Sequence, residues 1–458
     1  MHPLPYEIFK AYDIRGIVGQ NLTPAGMERI GLGLGSMARD LGQTHMVLGR
    51  DGRLSGPELA AALTRGLCAT GMQVMDLGRI TTPMAYFAAI HLGCRCAAMV
   101  TGSHNPPAYN GLKMVLAGET LSGTAIQALR QRIEVGDFQR GEGTHRRHDI
   151  GPAYQARITG DIHLTRPMQI AVDAGNGVAG AFAPALFRAL GCEVEELFCE
   201  VDGHFPNHHP DPSIPANLRA LSQHLQAGDA ELGLAFDGDG DRLGVVTRDG
   251  GLIFPDRLLM LFAADVLSRH PGGQIIFDVK SSRNLYKWIR DHGGEPMLWK
   301  TGHSVLKTKL RETGALLAGE LSGHIFFKER WYGFDDGLYA GARLLEILSR
   351  HKDASAVLRA LPNAMSTPEL QIRMGEGEPH ELMERLRREA RFEGAEDVIT
   401  LDGLRVEYKD GFGLLRASNT IPALVLRFEA DDAAALTRIQ GEFRQLLQQA
   451  LPGWPLPF

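Results

Sequence analysis

The chain has 458 residues, 44% of them hydrophobic and 22% charged, with a formal net charge of -6. That length is too great for one hydrophobic core and implies about three domains, and the mild acidity excludes general binding to nucleic acid or other polyanions. Cys68, Cys94, Cys96, Cys192 and Cys199 show no C-x-x-C spacing, no apolar run reaches the ~18 residues of a membrane span, and the N-terminus lacks a basic region leading into an apolar one, so a cytoplasmic protein with reduced thiols is expected.

In chain order, Phe9-Lys-Ala-Tyr-Asp-Ile-Arg-Gly16 is a short segment carrying three ionisable groups and ending in glycine. Thr23-Pro24 is a helix start, with a hydroxyl cap and proline at the first helical position, and the helix should run to about Asp40. Its Gly31, Gly33 and Gly35 lie mid-helix with no strand before them, which points to close helix packing rather than a phosphate loop. Met46 to Leu48 reads as a strand, Pro57 to Gly71 as a helix, Gln73 to Leu77 as a strand and Thr82 to His91 as a helix. An apolar strand from Ala97 to Val100 and a helix from Ser122 to about Val135 continue the alternation. Such alternation implies βαβ units and a largely parallel sheet. Gly141 to His148 is polar and unpatterned, and makes a candidate linker. Gln169 to Ala174 and Gln274 to Val279 begin alike, as apolar strands closing on an aspartate, and Met46 to Asp51 is a weaker counterpart; three α/β modules are expected. From about Asn363 the texture changes: a polar helix from Glu378 to Arg391, strands at Asp397 to Leu401 and Leu404 to Tyr408 joined by Asp402-Gly403, a strand at Ala423 to Phe428, and a last helix with Leu436, Ile439, Phe443, Leu446 and Leu447 on one face. This is a fourth, α+β domain.

Several stretches could carry chemistry. Thr101-Gly-Ser-His-Asn-Pro-Pro-Ala-Tyr-Asn-Gly-Leu-Lys113 places Ser103 at the carboxyl end of a strand, where open α/β sheets bind ligands. Ser103 is a nucleophile, a phosphate carrier or an ordinary loop serine. Phe236-Asp-Gly-Asp-Gly-Asp-Arg242 brings Asp237, Asp239 and Asp241 together through bending glycines, between apolar runs at Leu232 to Phe236 and Leu243 to Val246. Oxygen-only ligands suit magnesium, whereas Arg242 and Arg248 stand where a calcium loop needs glycine and glutamate. A phosphoserine at about -2, the three aspartates, a divalent ion, Arg242 and Lys113 sum to about -1, against about -5 without metal and bases. Gly175-Asn-Gly-Val-Ala-Gly180 matches G-x-G-x-x-G, with Glu195 and Glu196 at the distance of a ribose-binding acid; a dinucleotide-dependent oxidoreductase is the competing reading. Gly319-Glu-Leu-Ser-Gly-His324 puts Glu320 and Ser322 on alternating positions that would face one way if extended. Arg416-Ala-Ser-Asn-Thr420 suits a phosphate dianion held without metal. Lys280, at a strand end, and His303 are further candidates.

Together the serine loop, DGDGDR, GELSGH and RASNT resemble the α-D-phosphohexomutase family, within it the bacterial phosphomannomutase/phosphoglucomutase branch, over Phe9 to about Phe428. Gly102, where alanine is common, and Leu321, where methionine is usual, are small departures. The resemblance implies three similar α/β domains with mixed, largely parallel sheets and a smaller C-terminal α+β domain around one cleft, with boundaries at 1–149, 150–251, 252–363 and 364–458. It implies that Ser103 carries a phosphoryl group, that Asp237, Asp239 and Asp241 bind magnesium touching that phosphoserine, and that a hexose 1,6-bisphosphate is intermediate and activator. Arg416, Ser418, Asn419 and Thr420 then hold the phosphate that is not reacting. Glu320 and Ser322 take sugar hydroxyls, with His324 and Lys280 also toward substrate and Tyr12 closing on it. Arg15, His104, Lys113, Arg242 and His303 are the other catalytic candidates. The expected partners are small phosphosugars of mannose and glucose, glucosamine phosphate being the alternative within the family; no nucleic acid, no membrane and a monomer are expected.

Overall fold

Residues 4–458 are described by a computed structural model; Met1 to Pro3, part of the stretch read for a leader, lie outside the described residues. The first sheet contains β1 (Ile14–Ile17), β2 (His45–Arg50), β3 (Gln73–Arg79), β4 (Ala97–Val100), β5 (Tyr109–Leu116), β6 (Glu119–Thr120) and β7 (Thr144–Arg147), in the order β1-β5-β4-β2-β3-β7 with β6 beside β5. The second contains β8 (Gln169–Asp173), β9 (Glu193–Leu197), β10 (Leu232–Phe236), β11 (Leu243–Thr247) and β12 (Leu252–Ile253), ordered β12-β11-β10-β8-β9. The third, β13 (Gln274–Asp278), β14 (Glu295–Trp299), β15 (Leu317–Gly319) and β16 (Ile325–Phe327), runs β16-β15-β13-β14.

One pattern is used three times. β2, β8 and β13 each lie between two parallel neighbours, and the strand that follows the second neighbour turns back antiparallel. The three strands read as alike from sequence are these three central strands. They are buried on both faces, which is why they read as near-continuous apolar runs. The antiparallel returns β4–β5, β10–β11 and β15–β16 carry, in turn, the serine loop, the aspartate loop and the Glu320 loop.

The fourth sheet is antiparallel: β17 (Met365–Ser366), β18 (Leu370–Arg373), β19 (Asp397–Ile399), β20 (Leu404–Tyr408), β21 (Gly411–Ala417) and β22 (Ala423–Ala430). The hairpin at Asp402-Gly403 forms, with Gly403 at φ 89°. β21 carries no expectation from sequence, because glycines interrupt it. Those glycines serve packing: a Cβ at Gly413 would lie 2.3 Å from the Phe443 ring, and one at Gly411 2.3 Å from the Glu429 carbonyl. The last helix, Ala433–Ala450, seats Ile439, Phe443 and Leu447 on that surface.

The helices read from sequence form within a few residues of their expected bounds, but the first of them does follow a strand, β1, whose short mixed pattern hid it. Thr23 accepts from the Gly26 amide at 3.1 Å and starts the helix Pro24–Asp40. Its glycines are contact points, since a Cβ at Gly31 would lie 2.5 Å from the Leu63 carbonyl of the next helix. The segment 141–148 differs from its reading as a linker. Thr144–Arg147 pairs parallel to β3 as an exposed edge strand, because pairing at an edge needs backbone groups and not an apolar pattern. Its charged side chains also discourage further strand addition.

The units share a core. The helix Thr82–His91 is apolar and buried up to Ala89, and Gly337–Leu348 is buried along its whole length, its two charged residues, Arg343 and Glu346, being held in buried ion pairs. Phe87, Trp331 and Tyr339 stack between them, with Trp331 and Tyr339 centroids 4.1 Å apart. One buried cluster thereby joins residues of the first three sheets. Among the described residues no helix is long and apolar enough to cross a membrane.

Gly66 faces the first helix so closely that a Cβ would lie 2.1 Å from the Glu28 carbonyl. Gly66→Ala is expected to destabilise by about 1–3 kcal/mol through overpacking. Gly441→Ala, where a Cβ meets nothing within 4 Å, should stabilise the last helix by about 0.5–1 kcal/mol. Thermal unfolding of the two variants checks this, and shifts of the same sign would contradict the packing assignment.

Candidate active site

The serine loop leaves β4 and returns as β5 with Pro106 and Pro107 in its bend. Ser103 is buried and stands at φ 48°, a left-handed conformation that a non-glycine residue adopts only when its surroundings enforce it. Its amide donates to Thr101 Oγ1 at 2.8 Å. Its own hydroxyl lies 3.1 Å from Asp237 Oδ2 and 3.1 Å from His104 Nδ1. The serine and the first aspartate are thus in contact across two domains.

The aspartate loop joins β10 to β11. Asp237, Asp239 and Asp241 are fully buried, and ligand atoms from the three lie within 4.8 Å of one another. Gly238 permits the approach, because a Cβ there would lie 2.4 Å from the Ser103 carbonyl. Asp237 Oδ1 accepts the amides of Asp241 and Arg242. Lys113, on β5, is held 2.8 Å from Asp239 and 2.5 Å from Asp241. One oxygen each of Asp239 and Asp241 is buried without a hydrogen-bond partner. Orphaned carboxylate oxygens in an all-oxygen set fit a hard divalent cation.

These charges set one another. Burial raises the Asp237 carboxyl well above the usual range, and Asp241 and Asp239 push it the same way. Asp239 goes down: against the cost of burial, Lys113 holds it ionised. Lys113 rises well above a free lysine because the two carboxylates outweigh its burial. His104 is driven well below the ordinary imidazole value by burial and by Arg242, so it is neutral.

Across the cleft, Glu320, Leu321, Ser322 and Gly323 form a turn between β15 and β16 rather than an extended segment, so alternation does not set their directions. The turn closes with the Gly323 amide donating to the Glu320 carbonyl at 3.1 Å, the tighter path for an antiparallel return. Glu320 is buried and accepts the Gly302 amide at 2.6 Å. His324 places Nδ1 3.0 Å from Asp335 Oδ2, while its Nε2 accepts from Arg242 Nε at 3.0 Å. Lys280 reaches Glu369 at 3.0 Å. His303 packs 5.7 Å from the His324 ring, and burial and Lys307 lower its pKa well below the ordinary value.

The fourth domain brings Arg416 from the end of β21. Its Nε pairs with Asp402 at 3.2 Å, and its Nη2 is buried without a partner. Ser418, Asn419 and Thr420 follow in the turn to β22. Asn419 donates to the Tyr12 hydroxyl at 2.5 Å, and that hydroxyl donates to the Thr301 carbonyl at 2.9 Å. Arg15 donates to the Thr101 carbonyl and pairs with Asp13.

One cavity of about 560 Å³ is lined by Tyr12, Arg15, Ser103, His104, Lys113, Arg242, Lys280, His303, Glu320, Ser322, His324, Arg416, Ser418, Asn419 and Thr420. The aspartates lie behind its wall at the serine end. Sequence reasoning passed over Asp335, Glu369, Asp402 and Asp211, which orient or neutralise the groups it named. They stand outside the four motifs; only Asp402 had been noted, as a turn residue.

The glycine fingerprint Gly175–Gly180 has another use. A Cβ at Gly177 would lie 2.9 Å from Gly238 Cα, and the Val178 amide donates to the Gly238 carbonyl at 3.1 Å. The aspartate loop occupies the space a pyrophosphate would need. Glu195 pairs with His224 and Glu196 with Arg188.

Comparison with known proteins gives one family along the chain. Residues 6–140, 152–250 and 254–365 match alpha/beta/alpha domains I, II and III of phosphoglucomutase/phosphomannomutase, and 369–446 its C-terminal domain. The chain is 58% identical over 451 residues to a phosphoglucomutase of Neisseria gonorrhoeae, covering 98% of each. It is 55% identical over 456 residues to a phosphomannomutase/phosphoglucomutase of Pseudomonas aeruginosa, covering 99% of this chain and 98% of the other. A crystal structure of a phosphoglucomutase/phosphomannomutase family protein from Burkholderia thailandensis superposes with a TM-score of 0.95 at 58% identity, covering 99% of this chain and 100% of that one.

Asp239→Asn is expected to weaken magnesium binding by at least ~10-fold, measured by calorimetry on the full chain. Gly177→Ala, displacing the aspartate loop from behind, should also weaken it and leave no nicotinamide dinucleotide binding to lose. Unchanged magnesium affinity in both would contradict the placement of the ion.

Proposed function

The chain belongs to the phosphoglucomutase/phosphomannomutase family and interconverts hexose 6-phosphate and hexose 1-phosphate, and we propose that it does so through a phosphorylated Ser103 and a hexose 1,6-bisphosphate. The observation that carries this reading is the pair of anion sites in one cleft: Ser103 against the aspartate loop at one end, and Arg416, its Nη2 left free by the Asp402 pair at Nε, at the other. A monophosphate bound opposite a phosphoserine, and the bisphosphate it becomes, both need two anion sites at once.

In the proposed cycle the P–O bond at Ser103 Oγ breaks as a sugar hydroxyl oxygen bonds to phosphorus. Asp237, Asp239 and Asp241 would hold magnesium, which would draw charge from the phosphoryl group. Arg15, Lys113 and Arg242 add fixed positive charge around the reacting oxygens. His324 takes the hydroxyl proton: Asp335 beside Nδ1 favours the Nδ1–H form, which leaves the lone pair on Nε2, and the substrate hydroxyl displaces the Arg242 Nε–H that this lone pair otherwise accepts. Sequence reading grouped His324 with the sugar contacts; its partners support a proton role. His104, kept neutral, hydrogen-bonds the serine oxygen. The bisphosphate then turns end for end, and the second phosphate passes to Ser103 by the same route reversed.

During each half-reaction Arg416, Ser418, Asn419 and Thr420 hold the distal phosphate, with Lys280 beside it, while His303 stays against the His324 ring as a catalytic candidate. Glu320 and Ser322 take sugar hydroxyls. Tyr12, seated between Asn419 and the Thr301 carbonyl, closes the cleft over the substrate and excludes water. Both glucose and mannose phosphates are proposed substrates, in line with the names of the relatives. We read the four units as 1–149, 150–251, 252–363 and 364–458, in a cytoplasmic monomer; the five cysteines are unpaired.

Intact mass and peptide mapping should find phosphate on Ser103 that hexose phosphate chases off. Ser103→Ala should lose at least ~10³-fold in turnover. Retained turnover in that variant would overturn the mechanism. Arg416→Ala should raise KM and still allow Ser103 to be phosphorylated by bisphosphate; loss of both would contradict two separate phosphate sites. Glucosamine 6-phosphate assayed in parallel tests the sugar assignment.

A further inference from the structure

Ser103 needs an external support. The loop from Thr101 to Tyr109 makes a strained turn, and Pro106 and Pro107 bring no amide hydrogen to it. Four of its carbonyls point inward, those of Ser103, Asn105, Pro106 and Tyr109. All four accept from one side chain. Arg53 donates from Nη2 to Ser103 at 2.8 Å and Asn105 at 2.5 Å, and from Nη1 to Pro106 at 2.6 Å and Tyr109 at 2.9 Å.

The arginine is itself immobilised. It is 2% exposed, its Nε lies 3.3 Å from Asp51 Oδ2, and the Phe205 ring from the second domain covers it at 5.1 Å. Asp51 serves the other half of the loop, accepting the Gly102 amide at 2.9 Å and the Thr101 hydroxyl at 2.8 Å. Gly102 leaves the space the guanidinium needs: a Cβ there would lie 2.1 Å from Arg53 Nε. Arg53 does not line the cleft.

We propose that Arg53 is the positioning residue for Ser103, holding the serine in its left-handed conformation so that Oγ keeps its place beside Asp237 in both the phosphorylated and the dephosphorylated enzyme. Arg53 touches no substrate and acts only through the loop backbone. The proposal rests on Ser103 being the phosphoryl carrier.

The test uses the full chain with glucose 1-phosphate and glucose 1,6-bisphosphate. Steady-state rates, the single-turnover chase of phosphate from Ser103, and the folded fraction by circular dichroism are measured together. Arg53→Ala is expected to lower kcat by about 100-fold with KM nearly unchanged, because a displaced reacting atom costs rate rather than binding. The chase should slow by the same factor, and added methylguanidinium should restore part of it. Gly102→Ala, which crowds the guanidinium, should also slow the chase, yet cost nothing further once Arg53 is alanine. The proposal is overturned by wild-type kcat in Arg53→Ala, by a loss that only follows the folded fraction, or by a Gly102→Ala effect that is the same with and without Arg53. Should Arg53→Ala not fold, Arg53→Lys is judged by the same kcat, KM and chase criteria. A wild-type Ser103 that never carries phosphate would instead sink the phosphoserine reading. A phosphorylated wild type beside an unimpaired Arg53→Ala sinks only the role of Arg53.

Discussion

Three carboxylates buried side by side repel one another and have lost their water, so they persist only where positive charge is built in around them. In this protein Lys113 and Arg242 supply that charge from two domains, and the geometry of the cleft follows from bringing them in. Lys113 must come from β5, which places the serine loop against the aspartate loop. Gly238 and Gly177 must lack side chains so that three backbones can meet behind the carboxylates. Arg242, extending past the aspartates, reaches His324 and so ties the second domain to the third. The two lone carboxylate oxygens left over are what a divalent ion would satisfy.

Much of this is legible in the sequence. The serine, aspartate, Glu320 and Arg416 motifs are compact, and each sits in a single loop, so a linear reading finds them whole. The central strands of the three modules announced themselves as apolar runs ending in aspartate. What could not be read were the partners: Arg53 for Ser103, Asp335 for His324, Asp402 for Arg416, Glu369 for Lys280. Only folding brings most of these pairs together, and a lone aspartate or arginine looks the same whether it is solvated or buried. The turn at Glu320 and the strand β21 were hidden for another reason. Their glycines answer to neighbouring segments, the Leu243 carbonyl beside Gly323 and the Phe443 ring beside Gly413, rather than to local propensity.

The threefold module explains why the motifs come in order along the chain. Each antiparallel return leaves the carboxyl end of a parallel strand beside the central one, so three copies facing one cleft present three loops to it. The central strand's terminal aspartate is used again in two of them. Asp51 accepts the Gly102 amide at 2.9 Å, and Asp278 accepts the Leu321 amide at 3.2 Å. In the second module Asp173 turns to the Gly175 amide and His208, and the loop carries its own acids instead. One scaffold therefore presents the serine loop and the Glu320 loop on the same anchor, and the aspartate loop on a modified one where the charge density is highest.

The hydroxyl of Tyr12 is where the first, third and fourth domains meet at one oxygen atom, receiving a hydrogen bond from Asn419 and giving one to the Thr301 carbonyl. In the proposed cycle such a bridge would act as a clock: while it held, a doubly phosphorylated sugar would turn over without escaping, and once it broke, the sugar would diffuse away and leave an unloaded serine. On that reading the dwell time of this one contact, set against the time the intermediate needs to turn, would fix how many cycles are completed for each loss of phosphate.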